Sequence, residues 1–347
     1  MNHQPRNLME PNTLELPSGV FTISLDFELI WGTLDKPKWR QFQRLCRIER
    51  ETVIERLLGL FAEFDVSASW CTVGHLFLDR CEASGGRKHP EIARLSGTSN
   101  QDRFDRDPCT SESEDGIFYG RSLVREIQRC PVPQEIGCHS FSHVLFDERT
   151  CSRATAESEL GAAVAAAGEM GIVPRSFVFP RNQIGHLDLL GKHGFTCYRG
   201  RDASWHQLAE SRGALHRIGH LADVLFAAEP PVVSPRLDAS GLWEIPGSML
   251  YTPSYGFRRN IPVSLRVTRA RKGLARAASE RKLFHLWFHP TDLVERMDDM
   301  FDGLRQILET ASELRASGQM RILPMAGLVE TLRTAEARQL AGSVAAV

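Results

Sequence analysis

Eight short strand-like runs, separated by stretches of helical periodicity, restrict this chain to a fold built from βα units. The runs are VFTISLD (20–26), SASWCTV (67–73), EIGCH (135–139), SFVFP (176–180), FTCYRG (195–200), LWEIPGS (242–248), KLFHLWFH (282–289) and MRILP (320–324). Most are apolar on both faces, as buried parallel strands are. Between them, Ile54, Leu57, Leu58, Phe61 and Phe64 recur at helical spacing, as do Met297, Met300, Leu304, Ile307 and Leu308. One face of each predicted helix should therefore pack on the strands. Eight runs favour an α/β fold of the distorted (β/α)-barrel type over an open sheet. A chain of 347 residues suffices for one such domain. We expect it over residues 18–335, between an N-terminal tail (1–17) and a C-terminal tail (336–347). Insertions near 80–118 and 201–241 interrupt the alternation. The first is rich in Gly, Ser, Pro and charge, and reads as a lid-like excursion on the strand-end side.

Composition removes several classes of partner. With 42% apolar and 24% charged residues the chain is neither disordered nor membrane-like, and no apolar stretch is long enough for a membrane span. A formal net charge of −1 provides no basic field for nucleic acid. The polar start MNHQPRNLMEPNTLELPSGV lacks the apolar segment of a secretory signal, and the eight Cys include no C-x-x-C pair. Both features lead us to expect reduced thiols and a cytoplasmic location. Oligomeric state is not legible.

Active sites of parallel (β/α) barrels lie at the C-terminal ends of the strands. Here the first run ends in Asp26 and Glu28, the third in His139 with His143 beyond it, the fourth in Arg181 and Asn182, and the seventh in His289. Taken singly, an acid after a strand charges the next helix start, Arg181 is a surface cation and His289 a core imidazole. Their joint occurrence at four strand ends is what points to a site. The chain also carries three His pairs at i,i+4, where about 0.4 are expected from its 12 His. HRIGH (216/220) has no acid at a neighbouring strand end, and HLWFH (285/289) lies within a strand, where its rings stand roughly 13 Å apart. HSFSH (139/143) sits where a strand gives way to a turn, so both imidazoles can meet one cation. Two imidazoles and a carboxylate leave an open coordination position, as catalytic zinc requires. Trp31, Trp205 and Trp287 are candidates for an apolar wall around a substrate, with core packing as the alternative for each.

These residues resemble the polysaccharide deacetylase family, the metal-dependent carbohydrate esterases that include chitin and peptidoglycan deacetylases. EIGCHSFSH resembles the family's His-x-x-x-His metal motif. SLDFELIWG resembles its acidic first motif, with Asp26-Phe27-Glu28 where an adjacent acidic pair is usual. SFVFPRNQ, YRGRDASWHQ and HLWFHPTDL stand in the places of the third, fourth and fifth motifs. The resemblance implies a distorted barrel with fewer closed strands than eight. It also implies a divalent ion, most commonly zinc, held by Glu28, His139 and His143. Asp26 would be the base, His289 the acid, and Arg181 the cation that keeps Asp26 ionised. Asn182, Trp31, Trp205 and Trp287 would contact substrate. The implied reaction is removal of an N-acyl group, N-acetyl above all, from an amino sugar or glycan precursor. The residues leave open a deformylase, a cyclic amide or ureide C–N hydrolase, and a binding protein with a degenerate site.

Overall fold

The computed structural model describes residues 16–95, 102–202 and 228–344. Among them, ten strands form one sheet: β1 (Gly19–Phe27), β2 (Ser69–Thr72), β3 (Glu135–Cys138), β4 (Ser176–Val178), β5 (Cys197–Gly200), β6 (Arg236–Leu237), β7 (Trp243–Pro246), β8 (Met249–Leu250), β9 (Leu283–Phe288) and β10 (Met320–Ile322). The order is β6-β7-β5-β4-β3-β2-β1-β9-β8, parallel throughout except for the short β6–β7 pair. The extended segment from Trp243 to Leu250 changes partner midway: β7 pairs with β5 and β8 with β9. That switch joins the two ends of the sheet into a distorted barrel with seven staves.

All eight predicted runs are strands. The last of them, β10, pairs only with Gly19–Phe21 of β1 and extends the lower edge of the barrel instead of making an eighth stave. Successive residues of β1 face opposite ways, as a strand requires. Phe21, Ile23, Leu25 and Phe27 enter the large apolar cluster beneath the helices. Val20 instead joins Cys71, Val178, Cys197, Ile245 and Leu283 from the other staves, so Thr22, Ser24 and Asp26 share its inward face.

The helices are α1 (Gln43–Ile48), α2 (Ile54–Glu63), α3 (Arg121–Gln128), α4 (Arg153–Gly168), α5 (Leu187–Lys192), α6 (Val263–Glu280), α7 (Met297–Ala316) and α8 (Met325–Val344). The predicted apolar faces of α2 and α7 are buried through Ile54, Leu57, Phe61, Met300, Leu304 and Ile307. Two predicted boundaries fall inside ordered structure. Helix α8 runs through residue 335, and Leu16 is buried in the same apolar cluster as its Leu328 and Leu332. Among the described residues no helix is long and apolar enough to cross a membrane.

The described part of the 80–118 excursion packs on the barrel. Ile92, Phe104, Ile117 and Phe118 are buried in the main core, and none of its described residues lines the active-site cavity. Its scattered apolar residues outweigh the surrounding polar composition and anchor it to the barrel wall. Of the second insertion, residues 203–227, with Trp205 and the HRIGH pair, lie outside the described residues.

Candidate active site

At the top of β1, the inward face carries Asp26 and, one step beyond the strand, Glu28. Their partners come from β3, β5 and β9. His139 directly follows β3, its backbone N–H bonded to the Thr72 carbonyl of β2. The chain then turns sharply: Ser140 and His143 both have left-handed backbone, with φ of 58° and 61°. This conformation is costly for residues other than glycine and needs external support. Glu159 of α4 provides it, accepting the backbone N–H groups of Phe141 and Ser142, both at 2.9 Å, and the Ser142 hydroxyl at 2.5 Å. The turn brings the rings of His139 and His143 to 5.0 Å between centroids.

Both imidazoles face one carboxylate oxygen. His139 Nε2 lies 3.0 Å and His143 Nε2 3.1 Å from Glu28 Oε1. His139 Nδ1 is 2.7 Å from the Val178 carbonyl, which can only accept, so Nδ1 carries the proton and Nε2 turns its lone pair to Glu28. Burial first, then the neighbouring imidazole and Arg103, bring His143 down to about 4 against the pull of Glu28. Burial opposes ionisation of Glu28, but the surrounding imidazoles outweigh it and hold the carboxyl well below its usual range. A carboxylate and two imidazoles, with donor atoms all within 4.8 Å of one another, suit a divalent transition metal. Glu28 owes its position to Gly32: a Cβ there would fall 1.5 Å from Glu28 Oε2. We expect Gly32→Ala to displace the carboxylate while leaving the core intact. Zinc titration should show affinity about 10–100-fold weaker, the size of effect that supporting groups have on metal ligands, with little change in melting temperature.

Asp26 is held from across the barrel. Arg199 of β5 grips it with two hydrogen bonds, 2.6 and 2.7 Å, and also reaches Ser24 Oγ at 3.1 Å. β5 is separated from β1 by three other strands, so this pair spans the barrel interior. Burial works against the Asp26 charge, yet Arg199, with smaller help from His139 and His289, lowers its pKa overall. The associated stability is present above the unfolded value, ~3.9, and is lost as pH falls through the lower folded value. Arg181, expected in this role, instead pairs with Asp35 at 2.5 Å at the cavity rim. Its strand is too short to carry it inward: β4 ends at Val178, and Arg181 sits in the following turn with φ of 53°. Arg199 was legible as an Arg inside the apolar run FTCYRG, where a buried cation demands an acid partner.

His289 leaves β9 on the far side of the carboxylates, its Nε2 3.6 Å from Glu28 and 3.8 Å from Asp26. Its Nδ1 donates to Asp292 at 3.0 Å, and the same carboxylate accepts the His289 backbone N–H. Burial disfavours its charge, but Asp292 and Glu28 prevail and raise its pKa well above the usual imidazole value. His285, the other member of HLWFH, lies deeper, bonded to Ser24 and facing the Pro246 carbonyl, and does not reach the carboxylates' oxygens.

These groups open on a cavity of about 250 Å³, lined among others by Lys36, Phe42, Arg181, Asn182, Tyr255 and Trp287. Trp287 and Asn182 therefore stand where substrate contacts were expected. Trp287 is fixed by its indole N–H, which donates to Asp202 at 2.9 Å, and by the Arg199 guanidinium stacked 4.4 Å over its ring. Trp31 does not line the cavity. It is fully buried, donates to the Phe118 carbonyl and packs on His75 and Phe104, because the helical turn after Glu28 directs it to the excursion. Trp31 is core.

A seven-stave parallel barrel with a carboxylate and imidazole cluster at the mouth is thus on hand, and solved structures share the fold. A protein classed as a polysaccharide deacetylase from Mycobacterium smegmatis superposes with a TM-score of 0.61 at 15% identity, over 94% of this chain and 96% of the other. An allantoinase gives 0.54 at 12% identity, covering 96% and 97%. A second protein classed as a polysaccharide deacetylase, from Pseudomonas aeruginosa PAO1, gives 0.53 at 11% identity, covering 90% and 89%. The chain has the polysaccharide-deacetylase fold. Comparison with protein-family models and with curated sequences finds no match.

Proposed function

We propose that this protein is a metal-dependent hydrolase that removes an N-acyl group, in the first place N-acetyl, from an amino-sugar substrate or glycan precursor. The observation that carries this reading is the placement of Asp26 and His289, 3.8 Å apart, beside the Glu28–His139–His143 ligand group, each with its own ionic partner. A divalent ion held by those three residues, most simply zinc, would supply a Lewis acid for the acyl carbonyl and would lower the pKa of water from ~15.7 toward about 7. Asp26, ionised by Arg199, takes the proton of the attacking water at its carboxylate oxygen. His289, protonated through Asp292 and Glu28, gives its Nε2 proton to the departing nitrogen. The amide C–N bond breaks, leaving a free amine and a carboxylic acid. Trp287 and Phe42 offer apolar surface to the acyl group or sugar face, and Asn182 a polar contact.

Acid release from a panel of N-acetyl and N-formyl amino sugars tests the proposal. Release that disappears on chelation supports it, and no release from any member of the panel by zinc-loaded protein refutes it. A second reading is favoured by the small size of the cavity, which lies below the ~300–1,000 Å³ of common ligand pockets: opening of a cyclic amide or ureide. The likeness in fold to an allantoinase supports it as well. Ring opening releases no separate acid, so mass analysis of products separates the two.

The pH profile follows from His289. As its protonated form is the acid, kcat/KM should fall as pH rises through its raised pKa. Protonation of His289 also contributes stability that is complete below ~6.5 and lost as pH rises through the folded value. Asp292→Asn keeps an acceptor for both N–H groups but removes the charge, so the pKa falls and the basic limb moves to lower pH. A basic limb unchanged in Asp292→Asn would exclude His289 as the acid.

A further inference from the structure

A second group of metal-binding side chains lies outside the cavity, where the 80–118 excursion meets the turn after β2. His75, Cys81, His89 and Asp107 each present a ligand atom, and these atoms lie within 4.8 Å of one another. His75 Nε2 is 3.2 Å from His89 Nε2, and the two are 3.4 and 3.5 Å from Asp107 Oδ2, which is also 3.5 Å from Cys81 Sγ. Tetrahedral zinc with bonds of ~2.0–2.3 Å separates its ligand atoms by roughly 3.3–3.6 Å. The four distances, 3.2–3.5 Å, lie close to those edges.

The protons are arranged for a cation. His75 Nδ1 faces the Phe118 carbonyl at 3.0 Å and His89 Nδ1 faces Glu91 at 3.2 Å, both acceptors. Each ring in its neutral form then carries its hydrogen on Nδ1, so two lone pairs confront each other and a carboxylate. Outer hydrogen bonds of this kind are the usual support of metal-bound imidazoles. His75, His89 and Asp107 are buried, and His89 has left-handed backbone with φ of 45°. Cys109, 3.0 Å from Cys81 Sγ, places a second thiol beside the group.

We propose that His75, Cys81, His89 and Asp107 form a structural site for a tetrahedral transition-metal ion of the zinc class. The ion ties the excursion to the barrel wall. It also braces the catalytic turn, because Phe141 packs against both imidazoles, at 5.6 and 5.1 Å, and its carbonyl accepts the His75 backbone N–H at 2.9 Å. This site does not depend on the proposed catalytic reading.

Cobalt distinguishes the two sites, since only this one includes a thiolate. Full-length protein, stripped and reloaded with cobalt(II) in reductant, should show a thiolate-to-cobalt charge-transfer band in the near ultraviolet. The band should persist in His139→Ala and vanish in the double variant Cys81→Ser/Cys109→Ser, which should bind one equivalent less metal. Absence of the band in wild-type protein, or its survival in the double variant, overturns the proposal. If the double variant does not fold, zinc X-ray absorption on wild-type protein decides: a Zn–S distance of about 2.3 Å is expected, and a nitrogen- and oxygen-only shell contradicts it. A Cys81–Cys109 disulfide surviving in reductant, seen by mass, also overturns it.

Discussion

Asp26→Asn is expected to retain metal at the Glu28–His139–His143 group and to lose turnover by about 10²–10⁴-fold, the range a positioned general base contributes. The substitution is nearly isosteric, and the ligand atoms belong to other residues. It removes a buried carboxylate that a guanidinium locks and that lies 3.8 Å from His289. It also leaves Arg199, itself buried, without its counter-charge. Breaking such a pair costs about 3–5 kcal/mol, so urea unfolding must accompany the kinetics. Arg199→Met supplies the comparison: it should cost similar stability and raise the Asp26 pKa, since burial is then opposed only by the smaller pull of His139 and His289. Loss of metal in Asp26→Asn would reverse the roles of the two acids.

His139→Ala is expected to abolish both metal retention and turnover. The substitution removes a ligand outright, so its effect should exceed the ~10–100-fold seen when only a supporting group is lost. Elemental analysis after dialysis, beside acid release, checks the prediction. Full activity with metal still bound would remove His139 from the site.

Much of this arrangement was legible in the chain because it is local. Strand ends carry their own signature, and HSFSH announces two candidate ligands within five residues. What escaped notice depends on contacts across the barrel or between distant loops. Arg199 meets Asp26 across 173 positions, and nothing near SLDFE says which of several cations will do so. Arg181 stood at a strand end in the right register by count, but the turn after β4 carries it to Asp35. Glu159 works through a helix that appears in sequence only as an Ala-rich stretch. The His75, Cys81, His89 and Asp107 spacings match no short pattern, because an irregular loop and not a regular element brings them together. Trp31 was a candidate for the cavity wall with core packing as the alternative, and a single helical turn sends it into the core.

Anomalous diffraction at the zinc edge, from crystals of protein that releases acid from an N-acyl sugar, tests the central claim most directly. A peak bonded to Glu28, His139 Nε2 and His143 Nε2, with Asp26 and His289 outside the ligand shell, is the predicted result. Active protein with no peak between those three residues would contradict it.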